Sequence, residues 1–433
     1  MADAQRTSGP THRVPGLELV DHRFDLPLDH SGRADGRIEV YARELRALGP
    51  GAAERPFLVF LQGGPGFEAP RPETRSGWIE RATRDYRVLL VDQRGTGRST
   101  PLDPRVLGGI GDDAAIAEYL THFRADSIVR DCEAMRASLG VERWSVLGQS
   151  FGGFCVATYL SIAPQGLREA YITGGLPPLV DDPDPVYERT AQTLQRKTTQ
   201  YHERYPEDAE RLREIAARLA LEPVTLPGGD HFSLGRLQSL GIQLGFRDGP
   251  AKIHYLVESA WSGQGAGRDL SRSFLRGVEN IQSFDTNPLY ALVHEACYAQ
   301  GAATRWSARR RVESTSALAP DVDPFPFTGE MVFPWTVEES AALRPLLGAA
   351  MILADKSDWP ALYDVEALAR NEVPVAAAVY ANDMFVDRDL SLETAQAIRG
   401  CRVWLTDEFE HCGLRVEGER VLGRLIDLVR GEV

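Results

Sequence analysis

The apolar positions of this 433-residue chain follow two rhythms. The first consists of short apolar runs bounded by glycine, proline and charged residues. Phe57 to Leu61, Arg87 to Val91, Trp144 to Leu147, Glu169 to Thr173, Val375 to Tyr380 and Arg402 to Leu405 are of this kind. The length and β-favouring content of Phe57 to Leu61 predict a strand buried on both faces, Arg87 to Val91 reads as the next buried strand, and the others read as further strands. Helical patterns lie between and after them. Ile128, Val129, Cys132, Met135 and Leu139 share one face of a helix predicted over Asp126 to Leu139, with Asp126 or Ser127 as N-cap. Phe154 to Ile162 is helix-compatible, and Val421, Leu422, Leu425, Ile426 and Val429 mark an amphipathic helix over Glu417 to Val429. Strand, loop and helix in this recurring order predict an α/β fold, a mostly parallel sheet with helices on both faces. Upstream, Glu18 to Leu26 and Arg37 to Arg46 are strand-like, while Met1 to Gly16 reads as a loose tail.

The second rhythm begins after Pro177-Pro178. From about Asp182 to about Ala342 the pattern is mainly helical with charged faces, as in Tyr187 to Tyr205 and Glu207 to Ala220, and Gly263 to Gly267 interrupts it. The expected organisation is a core in two parts, residues 1–181 and 346–433, with a helical cap inserted at 182–345. There is no internal repeat and no low-complexity segment.

Composition narrows the function classes. The formal charge of −14 makes nucleic acid and anionic membranes poor partners. No run of about 18 apolar residues exists to span a bilayer. Met1 to Pro15 has no apolar core of a signal peptide. Five cysteines, odd in number and without paired metal spacing, fit a reducing compartment, so a cytoplasmic location is expected.

The chemistry centres on Gly148-Gln149-Ser150-Phe151-Gly152, between a predicted strand and a predicted helix. A serine at the tip of such a turn is held in strained backbone angles with its hydroxyl exposed at the carboxyl edge of the sheet. Gly148 and Gly152 let the neighbouring chains pass without clashing. A serine hydroxyl is a weak nucleophile, so it needs a base, and the base needs an orienting acid. On a strand–turn–helix elbow the chain order is serine, acid, histidine. Asp383 follows the Val375 to Tyr380 strand, with Asp387 as its competitor four residues on. His411 follows the Arg402 to Leu405 strand. Both sit at carboxyl ends of strands, where open α/β sheets place their sites. The oxyanion formed by attack needs donors. The backbone N–H of Phe151 is one, and that of Gly64, in the glycine-rich loop after Phe57 to Leu61, is the other.

Three stretches, Gln62-Gly63-Gly64-Pro65-Gly66, Asp92-Gln93-Arg94-Gly95-Thr96-Gly97-Arg98-Ser99 and Gly148-Gln149-Ser150-Phe151-Gly152-Gly153, together resemble the proline iminopeptidase (prolyl aminopeptidase) family of α/β-hydrolases. That family typically has histidine where this chain has Gln62. The likeness covers the core and is looser in the cap, where Asn287 to Glu295 resembles a segment of one branch. The resemblance implies release of N-terminal proline from small peptides through an acyl-enzyme. It also implies an anionic anchor for the substrate's free amino group, with Glu295 as first candidate and Glu330 as second. Phe67, Phe151, Phe333 and Trp335 are candidate walls of an apolar proline pocket.

Rival readings are a carboxylesterase or small-amide hydrolase on the same core, and a non-catalytic ligand-binding module. Dehalogenase and epoxide hydrolase readings are disfavoured, because their elbow usually carries aspartate in the place of Ser150. Gly95 to Ser99 lacks the third glycine and the lysine of a nucleotide loop. No His/Cys/carboxylate cluster has metal-ligand spacing, and serine chemistry needs no metal or cofactor.

Overall fold

The computed structural model describes residues 4–282 and 284–433. Its main sheet has nine strands. In chain order these are β1 (Gln5–Val14), β2 (Leu17–Pro27), β3 (Arg37–Ala47), β4 (Phe57–Leu61), β5 (Arg87–Asp92), β6 (Trp144–Gln149), β7 (Leu167–Thr173), β8 (Val375–Tyr380) and β9 (Cys401–Thr406). Across the sheet the order is β1-β2-β3-β5-β4-β6-β7-β8-β9. The first three strands and the β3–β5 pair are antiparallel. All pairs from β5 to β9 are parallel.

The helices that matter for the site are α1 (Gly77–Asp85), α2 (Ala125–Ser138), α3 (Phe151–Ile162), α4 (Asp184–Arg204), α5 (Glu207–Leu221), α6 (Pro288–Val293), α7 (Ser307–Glu313) and α8 (Gly418–Arg430). Side chains alternate across a strand, and in β4 both sets are buried. Phe57, Val59 and Leu61 join a core with residues of α2 and α3. Leu58 and Phe60 join a second core with Ile79 and Ala82 of α1 and Val421, Leu422, Leu425 and Ile426 of α8. Two covered faces explain why β4 carries no polar position. Each large side chain so buried contributes about 1.5–3 kcal/mol.

Two expectations are corrected. Residues 5–14 are not a loose tail: β1 pairs with β2 from Gln5 opposite Asp25 to Val14 opposite Leu17. Its side chains are exposed apart from half-buried Val14, so backbone hydrogen bonds hold it and no apolar alternation announces it. Residues 1–3 of the expected tail lie outside the described residues. The helix expected from Asp126 begins at Ala125, with Arg124 in the N-cap position making no side-chain cap, while Asp126 lies in the first turn.

Between β7 and β8 the described chain is mostly helical. Its strands there are two-residue pairs, Val224–Thr225 with His231–Phe232 and Trp261–Ser262 with Asp269–Leu270. No described helix is long and apolar enough to cross a membrane.

The loop after β5 has a structural task. The buried Arg94 guanidinium donates to both carboxylate oxygens of Asp131 on α2, at 2.7 and 2.6 Å. It also donates to the carbonyls of Leu28 and His122, at 2.8 and 2.6 Å. Burial alone would raise the Asp131 pKa, but Arg94 and a bond with His30 outweigh it and hold the carboxyl below its ordinary value. Removing one partner leaves a buried charge unmatched. Arg94→Met is therefore expected to cost about 3–5 kcal/mol in urea unfolding. An unchanged unfolding midpoint would contradict this assignment.

Candidate active site

Ser150 stands between β6 and α3 with φ 55° and ψ −126°, a conformation unusual for a residue with a side chain. Close backbone contacts hold it there. A Cβ on Gly152 would lie 1.9 Å from the Leu61 carbonyl oxygen, and one on Gly148 would lie 2.3 Å from that of Gly152. Gly153 is equally constrained, against Gly175. The Ser150 N–H donates to Thr173 O at 3.0 Å, and Ser150 O accepts from Gly153 N–H at 2.7 Å. The turn is thus fastened to β7 on one side and to its own helix on the other.

Asp383 lies in the turn after β8. Its Oδ1 accepts the N–H groups of Phe385 and Val386 at 2.9 and 3.1 Å. Its Oδ2 is 2.8 Å from His411 Nδ1. With Nδ1–H donated to the carboxylate, the neutral ring keeps its lone pair on Nε2. Asp387, the competitor, instead caps the helix Arg388–Ala397 by accepting from Asp389 and Leu390 N–H. The Phe385 ring packs edge-on against the His411 imidazole, with centroids 4.8 Å apart. Burial would lower the His411 pKa, but the Asp383 carboxylate, with a smaller effect of Glu330, carries it above the ordinary imidazole value.

The loop after β4 lies against the serine: a Cβ on Gly63 would stand 2.8 Å from Ser150 Cβ. Gly64 lines the same cavity as Ser150 and His411. Phe151 is the first residue of α3, so its N–H has no acceptor within the helix. Behind the loop, the Gln93 side-chain amide donates to Gln62 O at 3.0 Å. The backbone of position 62 is therefore anchored without a histidine there.

Ser150, His411, Gly64 and Glu330 line one cavity of about 780 Å³, walled by Phe67, Phe246, Phe284, Tyr290, Phe385 and Trp78. A narrow recess off it brings Ser150, Phe151 and Glu330 together with Phe154, His294 and Tyr298. Glu330 accepts a hydrogen bond from Tyr290 OH at 2.8 Å and has no cationic partner among the described residues. A half-buried carboxylate without a counter-cation is costly unless a ligand supplies one.

Glu295 is engaged elsewhere. It accepts Ser307 and Ala308 N–H, at 3.0 and 2.9 Å, at the start of α7. Burial pushes its pKa up to about 7 in spite of those bonds. It lines a different small cavity from that of Ser150. Of the two carboxylates, then, Glu330 shares the serine's cavity and Glu295 does not. Phe67 and Phe151 also lie at the serine, whereas Phe333 and Trp335 stack on each other and line a separate cavity of about 300 Å³.

Some contributors escaped sequence reasoning. Lys197 on α4 pairs with Glu410 at 2.5 Å, tying the inserted helices to the residue before His411. No local pattern could announce a pair 213 residues apart. Glu207, Asp208 and His254 also converge although their spacing does not suggest it. The Asp208 carboxylate there is already met by Tyr201, His254 and Arg211, at 2.5, 2.9 and 2.8 Å.

This sheet, its serine elbow and the acid–imidazole pair beneath the inserted helices define a serine hydrolase of the α/β-hydrolase fold, and a family model for the alpha/beta hydrolase fold matches residues 56–218. A proline iminopeptidase of Aeromonas sobria is 45% identical over 427 residues, 98% of this chain and 99% of the relative. One of Aspergillus aculeatus is 35% identical over 428 residues, 96% and 95% of the two chains. The chain belongs to the proline iminopeptidase family. A crystal structure of a proline iminopeptidase of Mycobacterium smegmatis aligns with a TM-score of 0.43 and 14% identity over 94% of this chain and 98% of that one.

The electrostatics give a titration to measure. By NMR, His411 should titrate above the ordinary imidazole value. Asp383→Asn should lower that midpoint clearly and Glu330→Gln should lower it less, because each removes a negative charge that favours the imidazolium. A midpoint that stays or rises in Asp383→Asn would contradict the pairing.

Proposed function

We propose that the protein is a prolyl aminopeptidase that releases N-terminal proline from small peptides through an acyl-enzyme. Ser150 attacks the carbonyl carbon of the first residue. His411 Nε2 takes the hydroxyl proton and then delivers it to the leaving amine. Asp383 fixes the ring and favours its charged form. The N–H groups of Phe151 and Gly64 receive the oxyanion. A water activated by His411 then attacks the prolyl ester, frees proline and restores the serine.

The observation that carries the amino-terminal part of this reading is Glu330. It faces the serine's cavity without a cation, and the protonated imino group of an N-terminal proline supplies one. Glu330 lines both the wide cavity and the narrow recess beside Ser150. We therefore place the imino group at Glu330, where recess and cavity meet, and the proline ring and the rest of the peptide in the wide cavity. The names of the relatives point the same way. We also propose that residues 182–345 act as a cap, since Glu330 comes from that segment while the nucleophile, acid and base come from the segments flanking it. The five free cysteines accord with the cytoplasmic location we propose.

Proline p-nitroanilide and p-nitrophenyl acetate separate peptidase from esterase, because the acetate ester carries no cationic group. Ser150→Ala should lower kcat on both by at least about 10⁴-fold while leaving the unfolding midpoint near wild type. Glu330→Gln should reduce kcat/KM for the proline amide about 10- to 100-fold and leave the ester nearly unaffected. Strong ester turnover without proline-amide cleavage would sink the peptidase reading. Wild-type rates in Ser150→Ala would sink the nucleophile.

A further inference from the structure

Resting on the prolyl reading above, we propose that His294 is the second acceptor for the substrate's imino group, so that Glu330 and His294 together select N-terminal secondary ammonium groups. A protonated proline nitrogen carries two N–H bonds that diverge tetrahedrally. One carboxylate oxygen accepts one of them well and leaves the other pointing away. The Glu330 carboxylate is already engaged by Tyr290 OH, which fixes its orientation. The second N–H therefore needs an acceptor from another side chain in the recess.

His294 stands there. His294 is among the residues that line the recess with Ser150 and Glu330. It is 3% exposed, and its Nδ1 is buried with no hydrogen-bond partner among the described residues. A buried ring nitrogen left unpaired is costly, and most such groups in folded proteins are matched. The ring is held by aromatic contacts with Tyr290 at 4.9 Å and Tyr298 at 6.2 Å between centroids. Burial lowers the His294 pKa, although Glu330 opposes this, and so favours the neutral ring, which keeps a lone pair to offer. Had the ring been charged, it would have repelled the substrate cation.

The count of donors and acceptors gives selectivity. A secondary ammonium satisfies both acceptors and leaves no N–H over. A primary ammonium, as on an N-terminal alanine, brings a third N–H into an enclosed recess where these two groups give it no acceptor. Sites built around buried hydrogen bonds discriminate strongly against ligands that leave a group unpaired. On this account proline is preferred through its nitrogen as well as through its ring.

The test uses p-nitroanilides of proline, alanine and N-methylalanine, with p-nitrophenyl acetate as a control. N-methylalanine has a secondary nitrogen and no ring, so it separates donor count from ring shape. Wild type should prefer it to alanine by about tenfold. His294→Phe, which keeps an aromatic ring and removes the acceptor, should raise KM for proline about tenfold with kcat nearly unchanged, and should abolish the N-methylalanine preference. His294→Gln, which restores an acceptor oxygen, should recover a substantial part of both. Equal loss on ester and amide in His294→Phe would mark the residue as structural and overturn the proposal. So would a wild-type KM in His294→Phe, or an unchanged N-methylalanine preference. If Glu330→Gln raises KM for proline while His294→Phe does not, only this proposal falls. If neither affects proline binding, the prolyl reading falls with it.

Discussion

The site depends on how closely three backbones approach one another around Ser150. The end of β4, the turn after β6 and the start of α3 meet so tightly that Gly152 has no room for a methyl group against the Leu61 carbonyl. That contact brings the loop carrying Gly63 and Gly64 beside the serine and aims the first N–H groups of α3 at the same place. The positive φ of Ser150 is a local cost, of the order of 1–3 kcal/mol for such conformations. Two buried cores on opposite faces of the sheet hold the turn in place. The proposed nucleophile and oxyanion donors are thus placed by one packing arrangement.

Charge is arranged around that turn in a graded way. Asp383 is saturated by two backbone donors and the imidazole, so it serves as a fixed negative point. Glu330 is bound at one side and open to the cavity at the other. His411 lies under the influence of both, and each raises its pKa. Glu330 thus has two physical effects, on a cationic ligand directly and on the imidazole through space. The Lys197–Glu410 pair ties α4 of the inserted segment to the loop that carries His411.

Much of this was legible in the chain. The central parallel strands declared themselves because both of their faces are buried, which leaves uninterrupted apolar runs such as Phe57 to Leu61; the half-exposed edge strand β9 showed only as the short run to Leu405. Ser150, Asp383 and His411 could be named because each follows such a run, and the elbow glycines because their role is steric and local. β1 was missed because its exposed side chains carry no apolar periodicity. The order of preference between Glu295 and Glu330 was not legible for a similar reason. Both are acidic residues of the inserted segment, and what separates them is that α7 presents its free N–H groups to one while the other accepts from Tyr290 OH and lines the serine's cavity. Phe333 and Trp335 read as pocket walls by type alone; their stacking on each other, away from Ser150, is a property of the folded cap.

The central claim is that Ser150 carries a prolyl group during turnover. Rapid acid quenching with an activated prolyl ester, followed by peptide mass spectrometry, tests it most directly. A mass increase of one prolyl residue confined to the peptide containing Ser150, and absent from Ser150→Ala, is the predicted result. A prolyl adduct on another side chain, or continued turnover in Ser150→Ala, would contradict the account.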